Sequence, residues 1–213
     1  MNNSIIKTAA ALIRNNMDAF IVKNADEARS TVEKLIKKGA TIGVGGSVSL
    51  SECGIMDLIR QGEYKFLDRY KEGLTPEQTE QVMRDTLSCD YFLCSANAVT
   101  ENGELVNVDG RSNRVAAVLY GPKNVIIVAG VNKIVKTVEE GLERVKRVAA
   151  PKNCVRLSCD TYCAKKGECV AAGGSVASGC NSPGRICSNY VVSAYQMNKN
   201  RIKVILCEEP LGY

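Results

Sequence analysis

Short apolar runs that alternate with amphipathic segments constrain the fold of this chain more than any other feature. Tyr91–Cys94 and Val125–Val128 are continuous apolar runs bounded by turn residues, as is typical of parallel strands buried on both faces. Thr41–Val44 and Ile202–Cys207 have the same character. The alternation predicts an α/β fold with a mainly parallel sheet and helices on both faces.

Between these runs, apolar residues recur at helical spacing. Asn24 followed by Glu27 is a capping signal for a helix that Gly39 should end, and Thr75-Pro76-Glu77-Gln78 indicates another helix start. Three further helices are predicted over residues 5–14, 50–60 and 134–149, and Pro151 is expected to end the last of them.

The 213 residues, 45% of them hydrophobic, suffice for a single domain spanning residues 1–213. Within it, residues 151–189 are glycine-rich and lack periodicity. We interpret this segment as a cysteine-rich C-terminal excursion from the domain, because strand character returns after it.

Six of the ten cysteines lie in that segment, among polar residues: Cys154, Cys159, Cys163, Cys169, Cys180 and Cys187. The first 20 residues lack the pattern of a secretory signal, and no apolar run approaches the ~20 residues of a membrane span. We therefore expect a cytoplasmic protein that does not enter membranes. Clustered cysteines in that compartment favour a metal site over redox disulfides or free thiols. Since the chain contains no histidine, thiolate ligands indicate zinc or an iron–sulfur cluster.

The charge pattern limits the ligands that we expect. The net charge of +5 is spread along the chain and the sequence pI is about 8.6, so there is no basic stripe of the kind that nucleic-acid-binding proteins show. A small anionic metabolite fits this charge better than a nucleic acid does.

A glycine-rich loop, Gly43-Val44-Gly45-Gly46-Ser47, joins a predicted strand to a predicted helix. Gly43, Gly45, Gly46 and Ser47 are candidate ligand-binding residues, because backbone N–H groups at a helix start attract anions. The alternative is a tight turn that requires positive φ.

A hairpin is predicted within Asn97–Gly110, with Asn102-Gly103 as a type I′ turn. Glu101 at its corner is a candidate nucleophile or base, and the alternative is a purely structural turn. Further ligand-binding candidates in and after this hairpin are Asn97, Asn102, Asn113 and Arg114.

Several stretches of the sequence together resemble the LUD domain, a family named for lactate utilisation. They are TIGVGGSVSLSECGIMDLI, DRYKEGLTPEQ, SANAVTENGELVNVDGRSNRVAAVLYGPKNVIIVAGVNKIV, AAPKNCVRL and RIKVILCEEPLGY. The resemblance implies a fold related to sugar-phosphate isomerases and CoA-transferases. It also implies a role in the oxidation of lactate or a related hydroxy acid, with iron–sulfur or oxidoreductase proteins as partners. A homo-oligomer is a further open alternative.

Many small LUD proteins end in a cysteine group of the form Cys-x5-Cys-x2-Cys-x6-Cys. Cys163, Cys169, Cys180 and Cys187 match its order and outer gaps, although ten residues separate the middle pair. The resemblance thus implies that these four hold a 4Fe-4S cluster, with zinc as the alternative metal and Cys159 or Cys154 as an alternative ligand. If the metal is zinc with a purely structural role, the protein would be a binding module without catalysis.

A more distant likeness concerns CoA-transferases, in which a Ser-Glu-Asn-Gly motif supplies a nucleophilic glutamate. Thr100-Glu101-Asn102-Gly103 is similar to that motif. An enzyme that acts on a thioester or a phosphorylated small molecule through Glu101 is therefore the alternative function.

Overall fold

The computed structural model describes residues 3–213. Its helices are α1 (Asn3–Arg14), α2 (Ala25–Leu35), α3 (Val48–Glu52), α4 (Ile55–Gln61), α5 (Pro76–Asp85), α6 (Asn113–Leu119), α7 (Val138–Arg144), α8 (Ala150–Arg156) and α9 (Tyr162–Lys166). Its strands are β1 (Asp18–Val22), β2 (Thr41–Val44), β3 (Lys65–Phe66), β4 (Tyr91–Cys94), β5 (Ala98–Thr100), β6 (Leu105–Asp109), β7 (Asn124–Gly130), β8 (Ile134–Val135), β9 (Asn189–Ser193) and β10 (Ile202–Cys207). Among these residues, no helix is long and apolar enough to cross a bilayer.

The main sheet has the strand order β1-β10-β7-β4-β2-β3, and each of its pairings is parallel. Alternate residues of the buried strands face opposite sides: Leu93 and Ile126 pack with α2 to α4, whereas Phe92 and Ile127 pack with α1 and α6. The α/β prediction and the mainly parallel sheet are confirmed.

A second sheet, β8-β5-β6-β9, packs against the helical stretch from α7 to α8. Along the chain, its β5–β6 hairpin lies between β4 and β7, two strands that pair with each other in the main sheet. Asn97 begins the crossing between the two sheets, and its carbonyl accepts a 2.6 Å hydrogen bond from Arg144 Nη1.

Several predicted elements have different boundaries in the structure. The helix predicted over residues 50–60 is two helices, α3 and α4, because Gly54 adopts a positive φ of 63° between them. The predicted 134–149 helix begins only at Val138, since Thr137 caps α7 and Ile134 belongs to β8. Pro151 does not end the helical stretch but lies in the first turn of α8, directly after the π-helical turn Val145–Ala149.

The hairpin turn also differs from the prediction. Gly103 has a positive φ of 86°, but Asn102 does not, so the turn is not type I′. Thr100 and Glu104 close a three-residue loop instead: Thr100 N donates to Glu104 O at 2.9 Å.

Candidate functional site

A cavity of about 450 Å³ opens at the carboxyl edge of the main sheet. It lies where β2, β4 and β6 end, and the loop after β3, the start of α6, and α8 complete its walls. This volume is in the range of small-molecule pockets, and the carboxyl edge of a parallel sheet is where ligands bind in open α/β folds.

The cavity lining is strongly basic. Within residues 3–213 it contains one acidic side chain, Asp109, and the basic side chains Arg69, Arg111, Arg114, Lys133 and Arg156. Both carboxylate oxygens of Asp109 are occupied, since Oδ1 accepts from Arg114 Nε at 3.1 Å and Oδ2 from Val115 N at 2.9 Å. The net positive charge that remains favours an anionic ligand.

Three polar groups converge above the backbone of Gly46. A Cβ atom built on Gly46 would lie 3.0 Å from Arg69 Nη2, 3.3 Å from Arg156 Nη2 and 3.3 Å from the hydroxyl oxygen of Tyr70. In the part of the chain that the structure describes, neither arginine forms a salt bridge. Two guanidinium groups brought together without a carboxylate form a subsite suited to an oxyanion.

Other side chains hold these two arginines in position. Arg156 Nε donates to Asn153 Oδ1 at 3.0 Å and to the Tyr213 hydroxyl at 2.8 Å. Arg69 Nη2 donates to the Tyr70 hydroxyl at 2.7 Å, and its guanidinium carbon lies 4.9 Å from the Tyr70 ring centroid. The Nε of Arg69 is buried and has no hydrogen-bond partner among residues 3–213. A bound acceptor would satisfy it.

Arg114, predicted as a ligand-binding residue, lines the cavity but directs its donors into the protein. Its side chain is 8% exposed. Its hydrogen bonds go to the carboxylate of Asp109, the amide oxygens of Asn97 and Asn107, and the carbonyls of Ser95 and Val108. With every N–H engaged, Arg114 positions the cavity wall.

The glycine loop lies beside the cavity, but each glycine has a different role. Gly43 and Gly45 are outside the lining: a Cβ on Gly43 would approach Thr86 to 2.7 Å, and one on Gly45 would approach Arg114 Cδ to 3.0 Å. The alternative of a positive-φ turn is wrong, since these glycines have ordinary φ values. Ser47 Oγ caps α3, which spans only five residues, so the positive charge at this site comes from side chains.

Of the predicted site residues, the structure brings five to the cavity lining: Gly46, Ser47, Asn97, Asn113 and Arg114. Sequence analysis missed Arg69, Lys133, Arg156 and Ser95. Ser95 directly follows β4 and Lys133 follows β7, so their positions at strand ends were the available signal. No local pattern marked Arg69 or Arg156.

Glu101 and Asn102 lie outside the cavity lining. Glu101 accepts hydrogen bonds from Ser4 Oγ at 2.6 Å and Lys7 Nζ at 2.8 Å, both on α1. Asn102 O accepts from Asn15 Nδ2 at 2.9 Å. The hairpin corner is therefore held against α1, where these contacts lower the pKa of the Glu101 carboxyl.

The four predicted metal ligands occupy different surroundings. Cys163 is buried beside Thr161, whereas Cys169, Cys180 and Cys187 are partly exposed. Across residues 3–213, no three cysteine, aspartate or glutamate side chains are close enough together to hold a metal ion. This arrangement does not fit a 4Fe-4S cluster or zinc, and the metal centre stays a prediction.

Two comparisons with known proteins agree with the fold. The LUD domain model matches residues 5–207. A crystal structure of a DUF162 family protein from Deinococcus radiodurans is similar, with 15% identity, 96% coverage of each chain and a TM-score of 0.50, which shows the fold alone. No curated protein matches this chain.

Proposed function

Because the chain belongs to the LUD domain family, associated with lactate utilisation, we propose that it binds a small hydroxy acid in the basic cavity. In this proposal it assists the oxidation of lactate or a related acid, and partner proteins of the oxidoreductase or iron–sulfur class accept the electrons. The contribution of the chain itself is to bind and orient the acid.

One observation carries the proposal: Arg69 and Arg156 point at the same place above Gly46 without a carboxylate between them. Planar guanidinium groups match the two oxygens of a carboxylate, and each charge-assisted hydrogen bond contributes about 1.5–3 kcal/mol. A bound carboxylate would also relieve the repulsion between the two cations. The hydroxyl groups of Tyr70 and Ser95 add polar partners for the rest of a small oxygen-rich acid.

The alternative enzyme that acts through Glu101 has no comparable support. The Glu101 carboxylate is tied to Lys7 and Ser4 on α1, and it is not part of the cavity wall.

Binding is tested by titrating the protein with lactate and glycolate in a calorimeter. Substitution Arg156→Gln removes one guanidinium and should weaken binding roughly 10- to 100-fold, by the loss of charge-assisted hydrogen bonds. Lys152→Gln is the matched control, because Lys152 is exposed on the same helix and outside the cavity lining. It should bind like the wild type.

Two results would contradict the proposal. One is the absence of heat and of thermal stabilisation with each of these acids and with inorganic phosphate. The other is equal weakening by Arg156→Gln and Lys152→Gln, which would indicate attraction by net charge rather than a site.

A further inference from the structure

Lys133 is a buried lysine on the wall of the cavity. It follows β7, its side chain is 3% exposed, and it is part of the cavity lining. Its Nζ lies 3.0 Å from Ser49 Oγ and 2.9 Å from Ser95 Oγ. Both partners are neutral hydroxyl groups.

The charge of Lys133 is not neutralised by an ion pair in the described part of the chain. Within residues 3–213 it forms no salt bridge. Glu52, on α3, is the acid that acts on it, and Glu52 Oε2 accepts a hydrogen bond from Gly212 N at 2.6 Å. An unpaired buried ammonium is costly, so the environment favours the neutral amine, which carries a nucleophilic lone pair.

The pKa of Lys133 is consistent with this geometry. Burial, followed by the cations Arg144 on α7 and Arg114 on α6, lowers it from 10.5 to about 7, against the opposing effects of Glu52 and the Cys94 thiol on β4. Desolvation and neighbouring cations are the two ways in which lysines become nucleophiles near neutral pH.

We propose that Lys133 forms a Schiff base with the carbonyl carbon of a small 2-oxo acid bound in the cavity. The inference rests on the proposed function, because the 2-oxo acid is the oxidised form of the hydroxy acid and its carboxylate would use the same arginines. It adds a covalent step and a named nucleophile to what would otherwise be a binding site.

The step balances without an oxidant or a reductant. The Nζ lone pair attacks the carbonyl carbon, and the carbonyl oxygen takes up a proton to give a carbinolamine. The carbon–oxygen bond then breaks, both amine protons leave with that oxygen as water, and a carbon–nitrogen double bond remains. Ser95, 2.9 Å from Nζ, is placed to carry protons between the nitrogen and the departing oxygen. Ser49 donates to Leu211 O at 3.2 Å, which holds the other side of the amine.

Reductive trapping tests the proposal on the full chain. The protein is incubated with pyruvate or glyoxylate and sodium borohydride, then analysed by intact mass and peptide mapping. We expect one adduct per chain, on Lys133, in the wild type and in Lys136→Met, an exposed neighbouring lysine. Lys133→Met should lose the adduct. Peptide mapping of the wild type assigns the site even if that variant does not fold.

Two further measurements separate a catalytic lysine from an accessible one. The trapping rate should rise through about pH 7 and level off, whereas adducts on exposed lysines should keep rising towards pH 10. Ser95→Ala should slow trapping at least 10-fold while leaving Lys133 the labelled residue. Adducts spread over exposed lysines would overturn the proposal. So would acylation of Ser95 by activated esters without imine formation, since that result would indicate a Ser–Lys acyl-transfer site.

Lactate has no ketone or aldehyde group to form an imine, so its calorimetric binding reports on the proposed function alone. Lactate binding without an imine overturns only the inference. If neither is observed, both fail, and an imine without lactate binding supports Lys133 while overturning the hydroxy acid as ligand.

Discussion

Lys133 links the protonation of the site to the stability of the fold. Its pKa is about 7 in the folded protein and near 10.5 in the unfolded chain, so between these values the unfolded chain holds more protons. Stability therefore rises with pH across this window, and the Lys133 contribution should grow by about 2–3 kcal/mol from pH 6 to pH 9.

Urea unfolding of the wild type and Lys133→Met at four pH values in this range isolates that contribution, because methionine has a similar volume and does not titrate. The difference in unfolding free energy between the two proteins should change with pH, and Lys136→Met should follow the wild type. Parallel curves for wild type and Lys133→Met would show that Lys133 keeps an ordinary pKa.

At the residue scale, the sequence predicts the chemical type of residues at the cavity better than the contacts that each of them makes. Arg114 lines the cavity, but its acceptors come from β6 and from the residues that follow β4, which only the folded chain brings together. Gly46 was predicted to approach a ligand through its N–H. In the structure it also leaves space for Arg69 and Arg156, which are 23 and 110 positions away along the numbering.

Among the elements, the turn Val145–Ala149 between α7 and α8 organises the loop that separates Cys169 from Cys180. It is π-helical: Ala150 N donates to Val145 O, five residues earlier. Lys146 in this turn is 3% exposed, and its ammonium nitrogen lies 2.6–3.1 Å from the backbone carbonyl oxygens of Ala171, Gly174, Ser175 and Ser178, which share its three N–H donors. The glycine- and serine-rich insertion is thus folded around one cation.

Substitution Lys146→Met should release that loop, because methionine cannot donate to the four carbonyls. We expect faster amide exchange and proteolysis within residues 170–179 and a loss of roughly 2–3 kcal/mol in unfolding free energy. Lys152→Met, exposed on α8, is the control and should change neither. An unchanged cleavage pattern in Lys146→Met would mean that the loop is held by other contacts.

The elements that sequence predicted well are those whose signals are local. The Thr75 capping box fixes the start of α5, with hydrogen bonds between Thr75 and Gln78 in both directions. The 134–149 helix was predicted too long because its apolar spacing continues into β8, and strand pairing of Ile134 with Val99 decides the outcome. That pairing is not encoded near Ile134.

At the scale of the whole molecule, the main sheet could be predicted because its central strands are continuous apolar runs. For the second sheet the sequence predicts only the β5–β6 hairpin, because β9 pairs with β6 through residues 80 to 88 positions apart and its short apolar run does not indicate that partner. The cavity is lined by residues in or next to strands of both sheets, so Arg69 and Arg156, which meet there, share no local pattern, whereas the glycine loop is marked in the sequence.

The cysteine-rich segment would have to change its structure to bind a metal. To bind a single metal centre together with Cys169, Cys180 and Cys187, Cys163 would have to leave its buried position beside Thr161. Metal binding would therefore have to reorganise residues 159–188. Metal binding and local folding are commonly coupled in this way, because ligand thiolates gather only around the ion.

We therefore predict that protein purified without oxygen contains iron and sulfide and shows a broad visible absorption, and that its cysteine-rich segment is more protected from proteolysis than in chelator-treated protein. Serine at Cys163, Cys169, Cys180 or Cys187 should abolish the metal, whereas Cys53→Ala, in the core against α4, should retain it. Zinc at one ion per chain would instead indicate a structural metal centre. Full retention of metal in Cys180→Ser would move the ligand set to Cys159. Metal-free protein under these conditions would leave ten free thiols and a cavity whose chemistry depends on Lys133 and its arginines alone.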